Sequence, residues 1–355
     1  MSEKLNLCVL FGGESTEYEI SLRSVTSVLE NLDKNKYNIT TIGITRDGKW
    51  RLFDKDTSLI INNNWYSDDL KKASPDLGEK DSSFIITDNE GNVSKIKTDI
   101  VFPVLHGANG EDGKLQGMLE MAGMKYVGVG VLCSCVSMDK AYTKIVFKEA
   151  GIDQADWVTI NDYELSDLEA IMDRCEKKLG YPMFVKPSNA GSSIGIGKAK
   201  TREELETAIR SAFTYDRRII VEEFLQGREV ECAVMGTRGN IKASCVGEIL
   251  AANEFYDFEA KYSDKVESGL VIPAKFENNC EEKIRNLAIK AFNALDGKGL
   301  SRVDFFCDDK NDIIRINEIN TLPGFTSISM YPKLFMNEGM SYAEILDNVI
   351  EFGLK

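Results

Sequence analysis

LSRVDFF at residues 300–306 and IIRINEIN at residues 313–320 are short segments rich in Val, Ile and Phe, a composition that predicts two strands. The charged run at residues 308–312 lies between them and predicts a tight connection, so the two strands form a hairpin. TLPG follows at once, at residues 321–324. The hairpin carries a concentrated group of polar side chains, and the other motifs of the chain are interpreted around it.

These polar side chains predict a site for a hard cation. Side chains alternate along a strand, so Arg302 and Asp304 share one face, and Glu318 and Asn320 share another. When the hairpin pairs, two carboxylates, a carboxamide and a guanidinium converge, and such oxygen ligands suit Mg²⁺ and the phosphates that it binds. The alternative is a solvated polar face, but isoleucines lie on both sides of Glu318, and carboxylates are seldom placed in apolar segments without a partner.

Composition limits the class of protein. A chain of 355 residues predicts two or three domains, and its formal charge of −14 argues against nucleic-acid binding. No secretory signal and no run of roughly 20 apolar residues is present, so we expect no membrane association. The eight cysteines are scattered without a CxxC pair, which indicates reduced thiols in the cytoplasm. His106 is the sole histidine, which argues against a Ser-His-Asp triad and against a metal site built from histidines.

The N-terminal region predicts a doubly wound α/β unit. Residues 5–11 predict a strand that runs into Gly12-Gly13, and a Thr16…Glu19 capping box predicts the helix that follows. The apolar face of that helix consists of Leu22, Val25, Leu29 and Leu32. Ligands gather at helix N-termini in such units, so Glu17 either stabilises the first turn or takes a substrate ammonium.

Two more strands are predicted at residues 37–44 and 100–105. A glycine-rich loop with His106 follows the second strand, and this histidine is either incidental or at the edge of a site. Residues 62–97 are polar and irregular and predict no function.

Two segments do not match the nucleotide-binding motifs that they partly resemble, and a third segment is a candidate phosphate-binding loop. Residues 128–133 lack the third glycine of a dinucleotide fingerprint, and residues 191–200 lack the spacing and the hydroxyl residue of a P-loop. A predicted strand at residues 183–186 ends in Lys186, and the small residues after it either surround phosphate oxygens or form a plain flexible turn. Lys140, which opens a helix upstream, is either a surface lysine or a second phosphate ligand.

The order of these motifs resembles the ATP-grasp ligases, and the whole chain is similar to the D-alanine–D-alanine ligase family. The matching segments span almost the full length and are residues 11–17, 105–113, 137–140, 186–195, 255–262 and 301–329. The resemblance implies an α/β (α+β overall) protein with a doubly wound N-terminal domain. It implies three domains, with ATP between the last two, which we place at residues 1–130, 131–221 and 222–355. It further implies a cytoplasmic homodimer that uses D-alanine and ATP for peptidoglycan synthesis.

The resemblance also implies roles for individual residues. ATP contacts are implied for Lys140, Lys186, Ser192, Ser193, Glu222, Leu225, Glu229 and Lys261. Two ions of Mg²⁺ or Mn²⁺ are implied, with Asp304, Glu318 and Asn320 as ligands. Substrate contacts are implied for Glu17, His106, Ser329 and Met330. Catalytic roles are implied for Glu17, Ser192 and Tyr262 as a hydrogen-bonded group, for Ser329, and for Arg302 and the Gly324 N–H as oxyanion donors.

Departures from the family pattern bear on the second substrate. Ala190 stands where some members carry an acid. Relatives that add D-serine tend to have arginine at the position of Met330, and lactate-adding relatives tend to replace Lys261-Tyr262, so this chain is expected to add D-alanine, with D-serine as the alternative. A lid is expected at residues 253–271, because an acyl phosphate must be kept from water. A nucleotide-binding sensor without turnover is the alternative outside the enzyme class.

Overall fold

The structure is a computed structural model that describes residues 3–250 and 269–355. The first sheet of this part of the chain consists of β1 (Leu5–Gly12), β2 (Tyr37–Ile44), β3 (Trp50–Phe53), β4 (Lys72–Pro75), β5 (Ser83–Thr87), β6 (Val93–Lys97) and β7 (Ile100–Val104). Their spatial order is β6-β5-β4-β3-β2-β1-β7. β1 is parallel to β2 and β7, whereas the pairings from β2 to β6 are antiparallel. The parallel centre is apolar because both of its faces are covered.

Three helices accompany this sheet: α1 (Tyr18–Asn31), α2 (Ser58–Ile61) and α3 (Lys114–Met121). α1 buries the predicted apolar face, including Leu22 and Val25, against the sheet. The predicted Thr16…Glu19 capping box is wrong, because α1 begins at Tyr18 and no side chain caps it. Glu17 occupies the N-cap position, and its carboxylate is bound by Ser192 instead.

The second sheet is antiparallel and consists of β8 (Trp157–Asn161), β9 (Met183–Pro187), β10 (Gly197–Ala199) and β11 (Arg218–Glu223), in the order β10-β9-β11-β8. It is preceded by α4 (Val131–Met138) and α5 (Lys140–Glu149). Its apolar face packs on α6 (Leu168–Leu179), which follows a 3-10 segment at Asp162–Asp167, and on α7 (Arg202–Ala212). This small separate core leaves the opposite face of the sheet for a ligand.

The third sheet is also antiparallel and consists of β12 (Arg228–Thr237), β13 (Asn240–Leu250), β14 (Gly269–Val271), β15 (Gly299–Asp308) and β16 (Ile313–Asn320), in the order β14-β13-β12-β15-β16. α8 (Cys280–Ala294) covers one face. α9 (Met330–Asn337) and α10 (Tyr342–Leu354) share a core with the first sheet and α1. This shared core fixes the hairpin β15–β16 relative to the N-terminal region.

Several expectations can be compared with this architecture. Both hairpin strands form where they were predicted, but the prediction that residues 62–97 are irregular is wrong, since β4, β5 and β6 lie there. The division into three domains stays a prediction, and β11 spans the boundary that we placed after residue 221. All eight cysteines are free thiols. Across residues 3–250 and 269–355, no helix has the length and apolar character needed to cross a bilayer.

Candidate active site

One cavity of about 1160 Å³ collects most of the predicted site residues. Those that line it are Glu17, His106, Lys140, Lys186, Ser192, Ser193, Glu222, Leu225, Glu229, Arg302, Glu318, Asn320, Gly324, Ser329 and Met330. Asp304 is buried and bonded to Arg302. Lys261, Tyr262 and the predicted lid as far as residue 268 lie outside the described residues, and the last three residues of that lid form β14.

The hairpin brings its four polar side chains onto one surface. Asp304 lies opposite Glu318, and Arg302 lies opposite Asn320. Directly opposed residues of an antiparallel pair share a face, so the convergence inferred from strand alternation is confirmed. Arg302 donates to both oxygens of Asp304, with Nε–Oδ1 and Nη2–Oδ2 distances of 2.7 Å, and Asn320 Nδ2 donates to Asp304 Oδ2 at 2.9 Å.

Glu231 adds a further carboxylate from the neighbouring strand β12. It is opposite Asp304 in the β12–β15 pairing, and its Oε2 lies 3.0 Å from Arg302 Nε. Burial disfavours a charged guanidinium, but Asp304 and Glu231 outweigh burial and raise the pKa of Arg302 well above its usual value. Arg302 is therefore a fixed positive charge in the cavity wall, which is the property required of a group that stabilises an oxyanion.

Glu222, at the end of β11, lies between two lysines. Its Oε1 is 2.6 Å from Lys144 Nζ, and its Oε2 is 2.5 Å from Lys186 Nζ. Burial alone would raise the pKa of Glu222, but the two ammonium groups lower it to about 2. Burial lowers the pKa of Lys144, whereas the attraction of Glu222 outweighs burial at Lys186 and raises its pKa. The three groups carry a net positive charge, which suits a phosphate ligand.

Lys140 is positioned by the start of α5. Asp139 is the N-cap and accepts hydrogen bonds from two backbone N–H groups of the first turn. The same carboxylate accepts from Ser188 Oγ at 2.5 Å and lies 3.0 Å from Arg218 Nη1. Lys140 Nζ donates to the carbonyl of Ala190 at 2.6 Å. The cap therefore holds this lysine against the small-residue loop after β9.

Glu17 lies in a cradle formed by that loop and by Gly107. Ser192 Oγ donates to Glu17 Oε1, as the resemblance implied. A Cβ on Gly191 would lie 2.9 Å from Glu17 Oε2, and one on Gly107 would lie closer still. Ser192 and Ser193 have φ angles of 50° and 60°, in the left-handed region that non-glycine residues seldom adopt outside constrained sites. The backbone of the loop is thus shaped around this carboxylate.

His106 joins α1 to the loop after β16. Its Nδ1 lies 2.9 Å from the carbonyl oxygen of Leu322, and its Nε2 lies 3.1 Å from Ser24 Oγ. A carbonyl only accepts, so Nδ1 carries a proton. Glu111 Oε1 is 3.9 Å from Nδ1, and burial raises the pKa of Glu111 to about 7. Burial would lower the pKa of His106, but Glu111 outweighs burial and raises it.

Ser329 and Gly324 face each other at the end of the cavity near α9. Ser329 Oγ accepts from the N–H of Thr326 at 3.0 Å, and a Cβ on Gly324 would lie 2.7 Å from the same oxygen. Met330, the first residue of α9, is buried against β13, where a Cβ on Gly247 would lie 2.6 Å from its Sδ. An arginine at this position would have to leave that packing to place its charge in the cavity.

Apolar side chains line another part of the cavity. The rings of Phe184 and Phe224 have centroids 6.0 Å apart, and Leu225 and Glu229 line the same cavity. Flat apolar walls with a few polar groups are typical of pockets for heterocyclic ligands.

The donor set on the hairpin fits a hard cation. Asp304, Glu318 and Asn320 offer only oxygen ligands, and with Glu231 the cluster has more carboxylates than Arg302 can balance. A grouping of three His, Cys, Asp or Glu ligands is absent from residues 3–250 and 269–355, but the predicted set differs because one of its three donors is an amide. A divalent ion would balance the excess negative charge.

Lys144, Glu231 and Glu111 are charged lining residues that were not predicted from the sequence as site residues. Lys144 follows Lys140 by four residues on one helix, so the spacing alone indicates a shared face. Glu231 follows Glu229 by two residues on one strand and shares its face. No local pattern connects Glu111 with His106.

The three sheets around a cavity lined by lysines and carboxylates are the arrangement of an ATP-grasp ligase fold. Two family models match the chain: "D-ala D-ala ligase N-terminus" over residues 6–129 and "D-ala D-ala ligase C-terminus" over residues 146–351.

Relatives extend over the full length. The D-alanine–D-alanine ligase of Acetivibrio thermocellus is 47% identical over 100% of this chain and 97% of that protein, and the one from Ruminiclostridium cellulolyticum is 49% identical over 100% and 96%. The crystal structure of the VanG D-Ala:D-Ser ligase from Enterococcus faecalis has a TM-score of 0.89 at 39% identity and covers 99% of this chain and 100% of that one. The D-alanine–D-alanine ligase structure from Coxiella burnetii has a TM-score of 0.83 at 34% identity, with 99% and 94% covered. The chain belongs to the D-alanine–D-alanine ligase family, and the resemblance found in its sequence is confirmed.

Proposed function

We propose that this protein is an ATP-dependent ligase that joins two D-alanine molecules into D-alanyl-D-alanine for peptidoglycan synthesis, with release of ADP and phosphate. Family membership supports the reaction class. The observation that carries the proposal is that one cavity is lined by Lys140 and Lys186, by Arg302 with the carboxylates beside it, and by Glu17. Such a cavity can hold a triphosphate and an amino acid at the same time.

In the first step, Glu17 binds the ammonium of the first D-alanine. A carboxylate oxygen of that D-alanine attacks the γ-phosphorus of ATP, and the bond from this phosphorus to the ADP oxygen breaks, giving D-alanyl phosphate and ADP. Lys140 and Lys186 neutralise the phosphate oxygens, with Ser192 and Ser193 as further donors. Positioning and charge stabilisation account for most of the rate in such transfers.

In the second step, Ser329 binds the carboxylate of the second D-alanine. The amine of this second D-alanine, after loss of a proton, attacks the acyl carbon of D-alanyl phosphate. Phosphate leaves as the tetrahedral intermediate collapses. The guanidinium of Arg302 and the N–H of Gly324 stabilise the oxyanion of this intermediate. His106 orients the loop that carries Gly324 through its bond to the carbonyl of Leu322.

The remaining assignments concern the nucleotide and the metal. Glu222 and Leu225 are proposed to line the adenine pocket, Glu229 to meet the ribose, and Lys261 and Tyr262, outside the described residues, to act at the transferred phosphate and beside Ser192. Two ions of Mg²⁺ or Mn²⁺ would be held by Asp304, Glu318 and Asn320, and bound metal would supply positive charge to the phosphate oxygens. A homodimer in the cytoplasm is also proposed, and light scattering tests the dimer.

D-serine is the second candidate for the attacking amino acid, because the chain is 39% identical to a D-Ala:D-Ser ligase over nearly its full length. The buried Met330 favours D-alanine.

The test measures phosphate release with ATP, Mg²⁺ and D-alanine, alone and with equimolar D-serine, and identifies the dipeptides by mass. Predominant D-alanyl-D-alanine is expected in both mixtures. Predominant D-alanyl-D-serine would reject D-alanine as the second substrate. ATP binding without phosphate release would favour the sensor.

A further inference from the structure

Lys144 contacts the nucleotide site but lies outside the set of predicted phosphate ligands. It is one helical turn after Lys140 on α5, and only 5% of its side chain is exposed. Its Nζ lies 2.6 Å from Glu222 Oε1, donates to the carbonyl of Ala155 at 3.1 Å, and lies 5.3 Å from the centroid of the Trp157 ring. The ammonium is therefore fixed by a carboxylate, a carbonyl and an aromatic face.

The two oxygens of Glu222 have different lysine partners. Lys186, on Oε2, is the more exposed lysine, with 16% of its side chain accessible. A polyphosphate in the cavity would attract this ammonium, because it is a mobile point charge on a flexible stem. Once Lys186 turns to the phosphates, Glu222 is a buried carboxylate that needs another positive charge, since an uncompensated buried charge is strongly unfavourable. Lys144 is already in contact with its other oxygen.

We infer that Lys144 is a positioning residue of the nucleotide site. It holds Glu222 in place and balances the negative charge of Glu222, so that Lys186 can move from Glu222 to the phosphates of ATP. The inference rests on the proposed function in one respect, that the ligand is ATP. When Lys186 moves away, Glu222 Oε2 is exposed to the rest of the ligand. This oxygen then accepts a hydrogen bond from the adenine amino group. The lowered pKa of Glu222 agrees with this role, because both lysines favour its ionised form.

Replacing Lys144 leaves Glu222 with Lys186 alone, and the pair then competes with the nucleotide. Lys144→Met is expected to raise KM for ATP by about tenfold, a typical coupling between groups in one buried network, while kcat and KM for D-alanine change by less than roughly twofold. Lys144→Arg keeps the charge and is expected to recover at least half of the lost ATP affinity on a logarithmic scale.

Lys148→Met is the matched control. Lys148 lies on the same helix and 6.0 Å from the same Trp157 ring, but it is exposed to solvent. This variant is expected to have wild-type values of KM and kcat. An equal rise of KM in both variants would overturn the inference, because the loss of any positive charge on α5 would then be sufficient.

A double-mutant cycle separates positioning from general damage. If Lys144 acts through Glu222, the double variant Lys144→Met/Glu222→Gln is expected to have a KM for ATP less than roughly twofold above that of Glu222→Gln alone. Effects that multiply in the double variant would overturn the inference. So would a Lys144→Met variant that loses kcat with KM for ATP unchanged.

Calorimetric titration with ADP and Mg²⁺ distinguishes failure of this inference from failure of the proposed function. A wild-type chain that binds ADP but forms no dipeptide would reject the ligase proposal, and weaker ADP binding by Lys144→Met would still support the role of Lys144. Equal ADP affinity of the two proteins would overturn that role. If Lys144→Met does not fold, Lys144→Gln, which keeps a hydrogen-bond donor, takes its place with the same expected direction.

Discussion

Glu318 holds the position opposite Asp304, where its carboxylate belongs to the oxygen-only donor set of the hairpin. Glu318→Gln keeps the shape and removes the charge, so the affinity for the proposed metal is expected to fall. We expect phosphate release at saturating ATP and D-alanine to fall by about 100-fold or more, with the thermal midpoint nearly unchanged. Glu90→Gln, in an exposed turn, is the control and is expected to be fully active. Normal turnover of Glu318→Gln would remove Glu318 from the metal site.

Gly191 approaches Glu17 so closely that an added methyl group must displace the carboxylate. The obstructed atom is the far end of a flexible side chain, and the φ of Gly191 is not in the left-handed region, so the fold should accept alanine. Gly191→Ala is expected to raise KM for D-alanine by about tenfold and to change the unfolding free energy by less than roughly 1 kcal/mol.

Gly117→Ala is the control for this variant. Gly117 lies in α3, where a Cβ would meet nothing within 4 Å. We expect unchanged kinetics and a stability gain of up to about 1 kcal/mol from the better helix propensity of alanine. An unchanged KM for D-alanine in Gly191→Ala would contradict the placement of the substrate ammonium at Glu17.

Contacts of single residues could be predicted from the sequence only where a local pattern determines which side chains meet. The hairpin acids were predictable, because strand alternation and cross-strand pairing determine which side chains meet. The spacing from Lys140 could place Lys144 on the same face of α5, but its pairing with Glu222 was not predictable, since Glu222 lies on a strand far away in the sequence. The role of a buried charged side chain depends on its ion-pair partner, and no local sequence pattern identifies that partner.

At the scale of elements, α5 depends on its N-cap more than an ordinary helix does. Asp139 also contacts Ser188, directly after β9, and Arg218 on β11. Asp139→Ala is expected to destabilise the protein by about 1–3 kcal/mol in urea unfolding, and to raise KM for ATP because Lys140 loses its anchor. Asp167→Ala removes the cap of α6, which faces away from the cavity, and is expected to lower stability without a change in KM. Equal kinetic effects in both variants would contradict the anchoring role.

Elements were predictable where burial imposes a pattern. The central strands of the first sheet and both hairpin strands are apolar because they are covered by other layers. β4 and β6 were missed because they are four and five residues long and largely exposed, so their polar composition resembles that of a loop. β5 is mostly buried, but its apolar run is only three residues long and lies between these two polar strands. The Thr16…Glu19 capping box failed because α1 begins at Tyr18, which makes Glu17 the N-cap, and because the carboxylate of Glu19 pairs with Arg46.

At the scale of the whole molecule, Glu111 and His106 connect stability to pH. An unfolded glutamate titrates near 4.5, but burial raises the pKa of Glu111 to about 7, so the folded state binds more protons between these values. Stability contributed by this group therefore falls as pH rises through the range, and the raised pKa of His106 acts in the same direction at higher pH.

Glu111→Gln removes this dependence. Between about pH 5 and pH 8, the unfolding free energy of the wild type is expected to fall by roughly 1–3 kcal/mol relative to that of the variant. Urea unfolding at a series of pH values measures the difference. Parallel stability curves for the two proteins would show that Glu111 titrates normally.

The cavity takes residues from Glu17 at one extreme of the chain to Lys333 at the other. Domains fold as units while the ribosome makes the chain from its N-terminus, so the lysine wall, complete once Glu222 is made, precedes the acidic hairpin at residues 300–320. Under the proposed function, a growing chain would therefore contain the lysines proposed to bind the nucleotide before the groups proposed to direct phosphoryl transfer. Under the proposed function, a chain that ends before the hairpin would lack the groups needed to consume ATP.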